Sequence, residues 1–202
     1  KSIELSLMLS IPASLGLVIA SEQIINALFG YGSFTIKDVD MTAKALKYFG
    51  LGIPAFALIK ILSNFFFARD NTKTPFYISF FTMILNILIS VSLFKKYGFI
   101  IIPIATSIST WAAVLIYFYL LNQKKFLNFE NNIVSNLLKI SFAVILMCFF
   151  LYFVLDYFED KFAYSYDFKL IYLLIVIGSS AGVYLFAANL LGVLNLKSYK
   201  LK

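Results

Sequence analysis

Six long apolar stretches constrain this 202-residue chain more than any other feature of its sequence. A helix needs about 20 apolar residues to cross a hydrocarbon core of roughly 30 Å. The stretches that meet this length cover residues 5–29, 41–68, 75–94, 99–121, 133–155 and 169–191. All six are predicted to be helices, because the edge of an open strand cannot be hydrogen-bonded in lipid. The predicted fold is an all-α, polytopic transmembrane helix bundle in which residues 1–202 form a single transmembrane domain.

The low charge content also indicates a lipid environment. Charged residues make up 13% of the chain and hydrophobic residues 61%, whereas a soluble domain carries about 25% charged residues. The net charge of +7 comes from lysines scattered between the apolar stretches, not from a basic stripe with interleaved aromatics. Membrane lipids are therefore expected partners, and nucleic acid is not.

The basic residues of the connections predict the topology. The second connection, the fourth connection and the C-terminal tail hold seven of them: Arg69, Lys73, Lys124, Lys125, Lys197, Lys200 and Lys202. The remaining connections hold four: Lys37, Lys95, Lys96 and Lys161. The positive-inside rule then places the first set and both chain ends in the cytoplasm. Lys44, Lys47 and Lys169 lie near the opposite helix ends and weaken this bias.

The beginning of the chain indicates a fragment. The sequence begins with Lys1 and not with a methionine. The first apolar stretch follows almost at once, without the basic n-region or the small-residue cleavage site of a signal peptide. We expect the missing part to be N-terminal.

The residue types that most catalytic sites need are scarce. The sequence has no histidine, and its only cysteine, Cys148, lies within an apolar run. Serine or cysteine nucleophiles paired with histidine, and the usual zinc sites, are therefore excluded within this chain. An intramembrane protease or acyltransferase is the least favoured function, and no metal site is predicted.

The second apolar stretch contains a cluster of helix-weakening residues. Gly50, Gly52 and Pro54 fall within the five-residue run GLGIP. Proline removes a helix hydrogen bond, and sharp helix kinks occur at such residues. We predict a kink or a hinge here; the alternative is an ordinary membrane-helix kink with no moving part.

Ionisable side chains inside the membrane are candidates for function. A charge at the bilayer centre costs at least about 2.5 kcal/mol, yet Glu22 and Lys60 fall inside the first and second stretches. Asn64 lies one turn after Lys60 on the same helix face. Glu22 and Lys60 are predicted to line a water-filled cavity, or else to snorkel towards the nearer interface, and Lys60 and Asn64 form a polar stripe on their helix.

Polar side chains also interrupt the third and fourth stretches. Asn86 and Ser90 lie one turn apart in the third stretch, and Thr106 lies in a polar cluster of the fourth. Such hydroxyls and amides line a solute path, coordinate a small cation, or bond across helices as packing contacts. The sequence leaves these alternatives open.

The most specific signal runs from the first connection through the second stretch, LFGYGSFTIKDVDMTAKALKYFGLGIPAFALIKILSNFFFARDNTKTP. This segment resembles the MurJ/MviN family of lipid II flippases. The matching positions are Leu28, Phe29, Gly32, Phe34, Thr35, Asp38, Thr42, Ala45, Leu46, Tyr48, Gly50, Leu51, Lys60, Phe67, Ala68, Arg69, Asp70, Lys73, Thr74 and Pro75. Nearly the whole chain fits the family, as the last six of its fourteen helices.

The resemblance implies a fold and a function. The fragment would form most of the second lobe of a two-lobed flippase of the multidrug/oligosaccharidyl-lipid/polysaccharide exporter superfamily, in the bacterial cytoplasmic (inner) membrane. Its cargo would be lipid II, the undecaprenyl-diphosphate-linked disaccharide pentapeptide, carried from the cytoplasmic to the outer leaflet by alternating access. The missing N-terminal helices of the same protein would be partners. The alternatives are a flippase for O-antigen or capsule lipid-linked sugars, or a multidrug exporter.

The resemblance also implies site residues. The arginines that face the lipid diphosphate lie chiefly before this segment, and Arg69, the only arginine here, joins Lys60, Asn64 and Glu22 as a substrate-path candidate. The last two helices would form an apolar groove for the isoprenoid tail, with six aromatic candidates: Phe142, Phe149, Phe150, Phe153, Tyr172 and Tyr184.

An ion site between the third and fourth helices is implied as well. Asn86 and Thr106 match its positions, but Ser90 stands where a carboxylate ligand is expected. Hard cations favour oxygen ligands with a carboxylate among them. This departure argues against sodium, so coupling to sodium or to protons stays open, and no other cofactor is expected.

Overall fold

The structure is a computed structural model that describes residues 2–124, 133–164 and 166–193. These ranges contain helices and turns and no strand. The eight α-helices are α1 (Ser2–Ile19), α2 (Ser21–Phe29), α3 (Ile36–Gly50), α4 (Ile53–Phe67), α5 (Lys73–Tyr97), α6 (Ile101–Gln123), α7 (Ile133–Tyr157) and α8 (Lys169–Leu190). Two short 3₁₀ helices, Gly98–Ile100 and Glu159–Phe162, precede α6 and follow α7.

The prediction of an all-α transmembrane bundle is confirmed. Among the described residues, five stretches are long and apolar enough to cross a membrane: Ser2–Ile19, Ile36–Phe67, Lys73–Gln123, Ile133–Tyr157 and Lys169–Leu190. The 51-residue stretch contains both α5 and α6. Each of the six predicted spans therefore corresponds to one helix or to a consecutive pair of helices.

The first predicted span differs from the structure in one respect. It is not one helix over residues 5–29, because the helix is interrupted at Ala20, between α1 and α2. The polar run Ser21-Glu22-Gln23 opens the second piece, and the Ser21 hydroxyl donates to the carbonyl of Val18 (3.4 Å). A side chain that bonds to the preceding turn competes with the helix ladder and favours a bend. Glu22 consequently lies in the first turn of α2 and not in the middle of a helix.

The chain divides into two compact units, which are described separately. The first unit comprises Lys1–Ser14 and Lys44–Phe129, and the second comprises Leu15–Ala43 and Glu130–Lys202. That residues 1–202 form a single transmembrane domain stays a prediction.

The core of the first unit lies between α4 and the hairpin of α5 and α6. Gly98 turns this hairpin with a φ of 64°, a conformation that glycine adopts without strain. Phe66 and Tyr117 meet at the centre, with ring centroids 5.8 Å apart. Because lipid tails are as apolar as these side chains, dispersion contacts and close packing hold the helices together. The buried core residues are Ala55, Leu58, Leu62, Phe66, Ile78, Ala113, Val114, Tyr117 and Leu121.

The core of the second unit lies where α7 and α8 meet α2 and Glu159–Phe162. Small side chains allow the close approach, since Ala20, just before α2, and Ala27 of α2 are almost completely buried. The buried core residues are Ala20, Ala27, Leu151, Leu155, Phe162, Leu173 and Val176. Lys125, Lys197, Lys200 and Lys202, on which the predicted topology depends, lie outside the described residues, so the orientation of the chain ends stays a prediction.

Candidate functional site

A polar groove lies between α4, α5 and α6 of the first unit. Its volume is about 370 Å³, and its apolar lining includes Phe56, Ile59 and Met83. The polar lining comes from facing turns of α5 and α6: Ser79, Thr82, Asn86, Thr106, Ser109 and Thr110. Hydroxyl and amide groups are thus concentrated in one place within an otherwise apolar helix bundle.

Asn86 is the centre of this groove. Its side-chain amide Nδ2 donates to Thr106 Oγ1 (2.9 Å) and, more weakly, to Ser109 Oγ (3.5 Å). Its Oδ1 accepts a hydrogen bond from Ser90 Oγ at 3.4 Å. The structure therefore brings together the three ion-site candidates predicted from the sequence: Asn86, Ser90 and Thr106.

These groups bond to one another as a neutral network. The Thr106 hydroxyl donates to the carbonyl of Ile102 (2.8 Å), and the hydroxyls of Ser109 and Thr110 donate to the carbonyl of Thr106 (3.1 and 2.5 Å). In the described part of the chain, no three His, Cys, Asp or Glu residues cluster as a metal site would need. The groove offers neutral oxygens without a carboxylate, a weak ligand set for a hard cation.

The second predicted span is broken between α3 and α4. Helix α3 ends at Gly50 and α4 begins at Ile53, with Pro54 in its first turn. Pro54 lacks the N–H that a continuous helix would donate to Gly50. All three hinge candidates, Gly50, Gly52 and Pro54, are buried. That the break moves stays a prediction.

The substrate-path candidates are divided between the two units. Lys60 and Asn64 are both exposed on α4, one turn apart on the same face. Arg69 follows the end of α4, where its Nη1 donates to the carbonyl of Phe65 (2.8 Å). Glu22 belongs to the second unit, where its exposed carboxylate lies at the positive end of the α2 dipole. That Glu22 lines a substrate path stays a prediction.

Sequence reasoning missed the buried lysine of the second unit. Lys169, at the start of α8, is fully buried. Its ammonium donates to Asn26 Oδ1 (3.1 Å) and to the carbonyls of Gly30 and Tyr164 (both 2.9 Å). The ring of Tyr31 lies 4.2 Å from the same nitrogen. No local pattern signals this site, because Gly30 lies 139 residues away in the sequence.

The aromatic side chains predicted for an isoprenoid groove do not share one environment. Phe142, Phe149 and Phe153 of α7 are exposed. Tyr172, in contrast, packs on the core of the second unit, and Tyr184 is buried. Only the exposed side chains are available to a lipid tail in this conformation.

Several helices of membrane-spanning length define a polytopic membrane protein. The chain belongs to the lipid II flippase MurJ family, whose model matches residues 1–196. The comparisons therefore confirm the family predicted from the sequence.

Individual relatives agree with this family. A probable lipid II flippase MurJ of Buchnera aphidicola subsp. Baizongia pistaciae is 33% identical over an alignment of 203 positions, which covers 98% of this chain and 40% of that protein. A probable lipid II flippase MurJ of Rickettsia prowazekii is 39% identical over 148 residues, 73% of this chain and 28% of that protein. A solved structure of a lipid II flippase MurJ, in an inward closed conformation, matches with a TM-score of 0.72 and 32% identity. The match covers 93% of this chain and 37% of the solved flippase chain. This chain therefore spans about two fifths or less of the length of the relatives it matches.

Proposed function

We propose that this chain is the C-terminal part of a lipid II flippase. The whole protein carries the undecaprenyl-diphosphate-linked disaccharide pentapeptide from the cytoplasmic to the outer leaflet by alternating access. The observation that carries the proposal is the family match over residues 1–196. The similarity of the helix arrangement to a flippase in an inward closed conformation supports it.

The first unit contributes to the path of the polar headgroup in this proposal. Lys60 and Asn64 present an ammonium and an amide on one face of the apolar helix α4. An ammonium attracts phosphate oxygens as a point charge, and an amide donates hydrogen bonds to them or to sugar hydroxyls. Arg69 adds a guanidinium just after the end of the same helix. A headgroup that carries a diphosphate and sugars needs this mixture of donors.

The protein lies in the bacterial cytoplasmic membrane with its C-terminus in the cytoplasm. The excess of basic residues in the second and fourth connections and in the tail supports this orientation. Membrane lipids and the N-terminal helices of the same protein are its further partners. The network around Asn86 packs α5 against α6. It does not hold sodium in this proposal, because the oxygens it offers include no carboxylate.

Depletion of the full-length protein in its host tests the function. Lipid II on the outer face is labelled with an impermeant reagent as the protein disappears. Outer-face lipid II should fall while total lipid II rises, because the precursor is still made but not moved. Unchanged exposure in a host without a second flippase would exclude the proposal. A parallel loss of an exported O-antigen or capsule polymer, with lipid II exposure intact, would instead favour another lipid-linked sugar as cargo.

A further inference from the structure

The break between α3 and α4 leaves backbone carbonyls without the N–H donors that a continuous helix would supply. In a continuous helix the N–H of Gly52 would donate to Tyr48, but here it donates to Phe49 at 2.9 Å. The carbonyl of Gly50 has no backbone N–H donor from the next helical turn, because residue 54 is a proline. Buried carbonyls without donors are costly, so a stable break needs donors from elsewhere.

Three side chains from two other helices supply these donors. Ser107 Oγ of α6 donates to the carbonyl of Tyr48 at 2.6 Å. Ser14 Oγ of α1 donates to the carbonyl of Gly50 at 2.7 Å, and Trp111 Nε1 of α6 donates to the carbonyl of Leu51 at 3.0 Å. We call Ser14, Ser107 and Trp111 the latch.

The missing side chain of Gly52 lets α6 reach the break. A Cβ atom built on Gly52 would lie 2.8 Å from Ser107 Oγ and 3.3 Å from the carbonyl oxygen of Phe49. Either the Ser107 hydroxyl or the backbone would have to move to admit it. Gly52 is therefore required by the latch as well as by the break.

Ser10 provides a donor for a second arrangement. It lies four residues before Ser14, on the same face of α1, and is only 7% exposed. Within the described part of the chain its hydroxyl has no hydrogen-bond partner. An unpaired buried hydroxyl destabilises the conformation in which it occurs. In the observed arrangement the Ser14 hydroxyl is hydrogen-bonded to the break and the Ser10 hydroxyl, on the same face of α1, is not.

We propose that the latch is a two-position device, in which Gly50 takes its hydrogen bond from Ser14 in one conformation and from Ser10 in another. The exchange corresponds to a shift of α1 along the break by one helical turn, about 5.4 Å. Turn-sized steps of one packed element past another are a known form of switching. That the exchange belongs to a transport cycle rests on the proposed function; that two positions exist does not.

Pulsed EPR on the full-length protein tests the device. Nitroxide labels at Leu5→Cys in α1 and Lys47→Cys in α3, in a background without other cysteines, measure the distance across the break; both positions are exposed. The observed and shifted positions should appear as two distances that differ by several ångströms. Ser14→Ala should lower the ratio of the latched to the shifted population about fivefold, the effect of one net hydrogen bond.

Ser10→Ala gives the sharpest outcome, because it should act in the opposite direction. Removing the unpaired hydroxyl stabilises the latched position and removes the donor of the shifted one, so the ratio should rise. Ser14→Thr keeps a hydroxyl and should restore the ratio, which separates the latch from misfolding. Ser63→Ala is the matched control, since that hydroxyl donates to the carbonyl of Lys60 within its own helix (3.1 Å).

Two results would overturn the proposal: a single distance that no variant changes, or equal shifts in the same direction from Ser10→Ala and Ser14→Ala. Outer-face lipid II is measured in cells for the same variants. If the distances shift as expected while lipid II exposure stays normal, the two-position latch stands and its role in flipping falls.

Discussion

The ammonium nitrogen of Lys169 lies 2.9 Å from the carbonyl oxygen of Gly30. This contact joins the start of α8 to the segment that follows α2. Asn26 completes the arrangement, because its Nδ2 donates to the carbonyl of Phe162 (2.6 Å) while its Oδ1 accepts from Lys169. A fully buried charge is tolerated here because all three ammonium hydrogens are bonded.

Lys169→Met should destabilise the protein by about 3 kcal/mol, since it leaves buried oxygen acceptors without donors. The measurement is the thermal unfolding of the purified full-length protein in detergent. Lys95→Met, at an exposed position of α5, is the control and should change the midpoint little. Equal stability of the two variants would mean that the Lys169 contacts contribute nothing.

Lys60→Ala should reduce complementation of a depleted host about tenfold, because a charge-assisted contact to the headgroup is lost. Membrane abundance should stay the same, since Lys60 is exposed and lies outside the buried core. Lys95→Ala controls for the removal of an exposed lysine. Full complementation by Lys60→Ala would support simple snorkelling to the interface.

Ser90→Asp should create a sodium-dependent gain in stability. The new carboxylate would join the oxygens of Asn86 and Thr106, which already lie in one network, and supply the ligand that a hard cation favours. Thermal unfolding is compared in sodium chloride and in choline chloride at equal ionic strength. The rise in the unfolding midpoint caused by sodium should be larger for Ser90→Asp than for the unaltered protein, and Ser90→Asn should show no such rise. An equal sodium effect in all three proteins would place any sodium site elsewhere.

Phe66→Ala should cost about 3 kcal/mol of stability, whereas Phe67→Ala should cost little. Phe66 is 1% exposed and packs on Tyr117, while its neighbour Phe67 is 48% exposed. Protease resistance of the full-length protein in membranes measures the difference. Similar losses for the two variants would contradict the core described between α4 and α6.

The sequence predicts the spans well because span length and apolarity are local properties. Residues 133–155 were predicted and α7 covers Ile133–Tyr157. The interruption at Gly50 to Pro54 is equally local, since proline and glycine weaken a helix by their own covalent structure. The interruption at Ala20 was missed because it has no such residue and depends on a polar run inside the span.

The candidate site was predicted only in part. Asn86, Ser90 and Thr106 were each identified from their polarity, and the hairpin of α5 and α6 brings them together. Glu22 was placed inside a helix, but it lies in the first turn of α2.

The sequence alone determined that the chain is a bundle of apolar helices, where its second span breaks, and which family it resembles. These properties follow from side-chain type and spacing along a single helix. Only the tertiary structure decided which groups bond to each other: Ser14 to Gly50, Ser107 to Tyr48, and Lys169 to Gly30. Each of these bonds joins residues at least 36 positions apart. Such partners meet only when helices pack, because the need for a donor is local but the choice of donor depends on which helix lies beside the unsatisfied carbonyl.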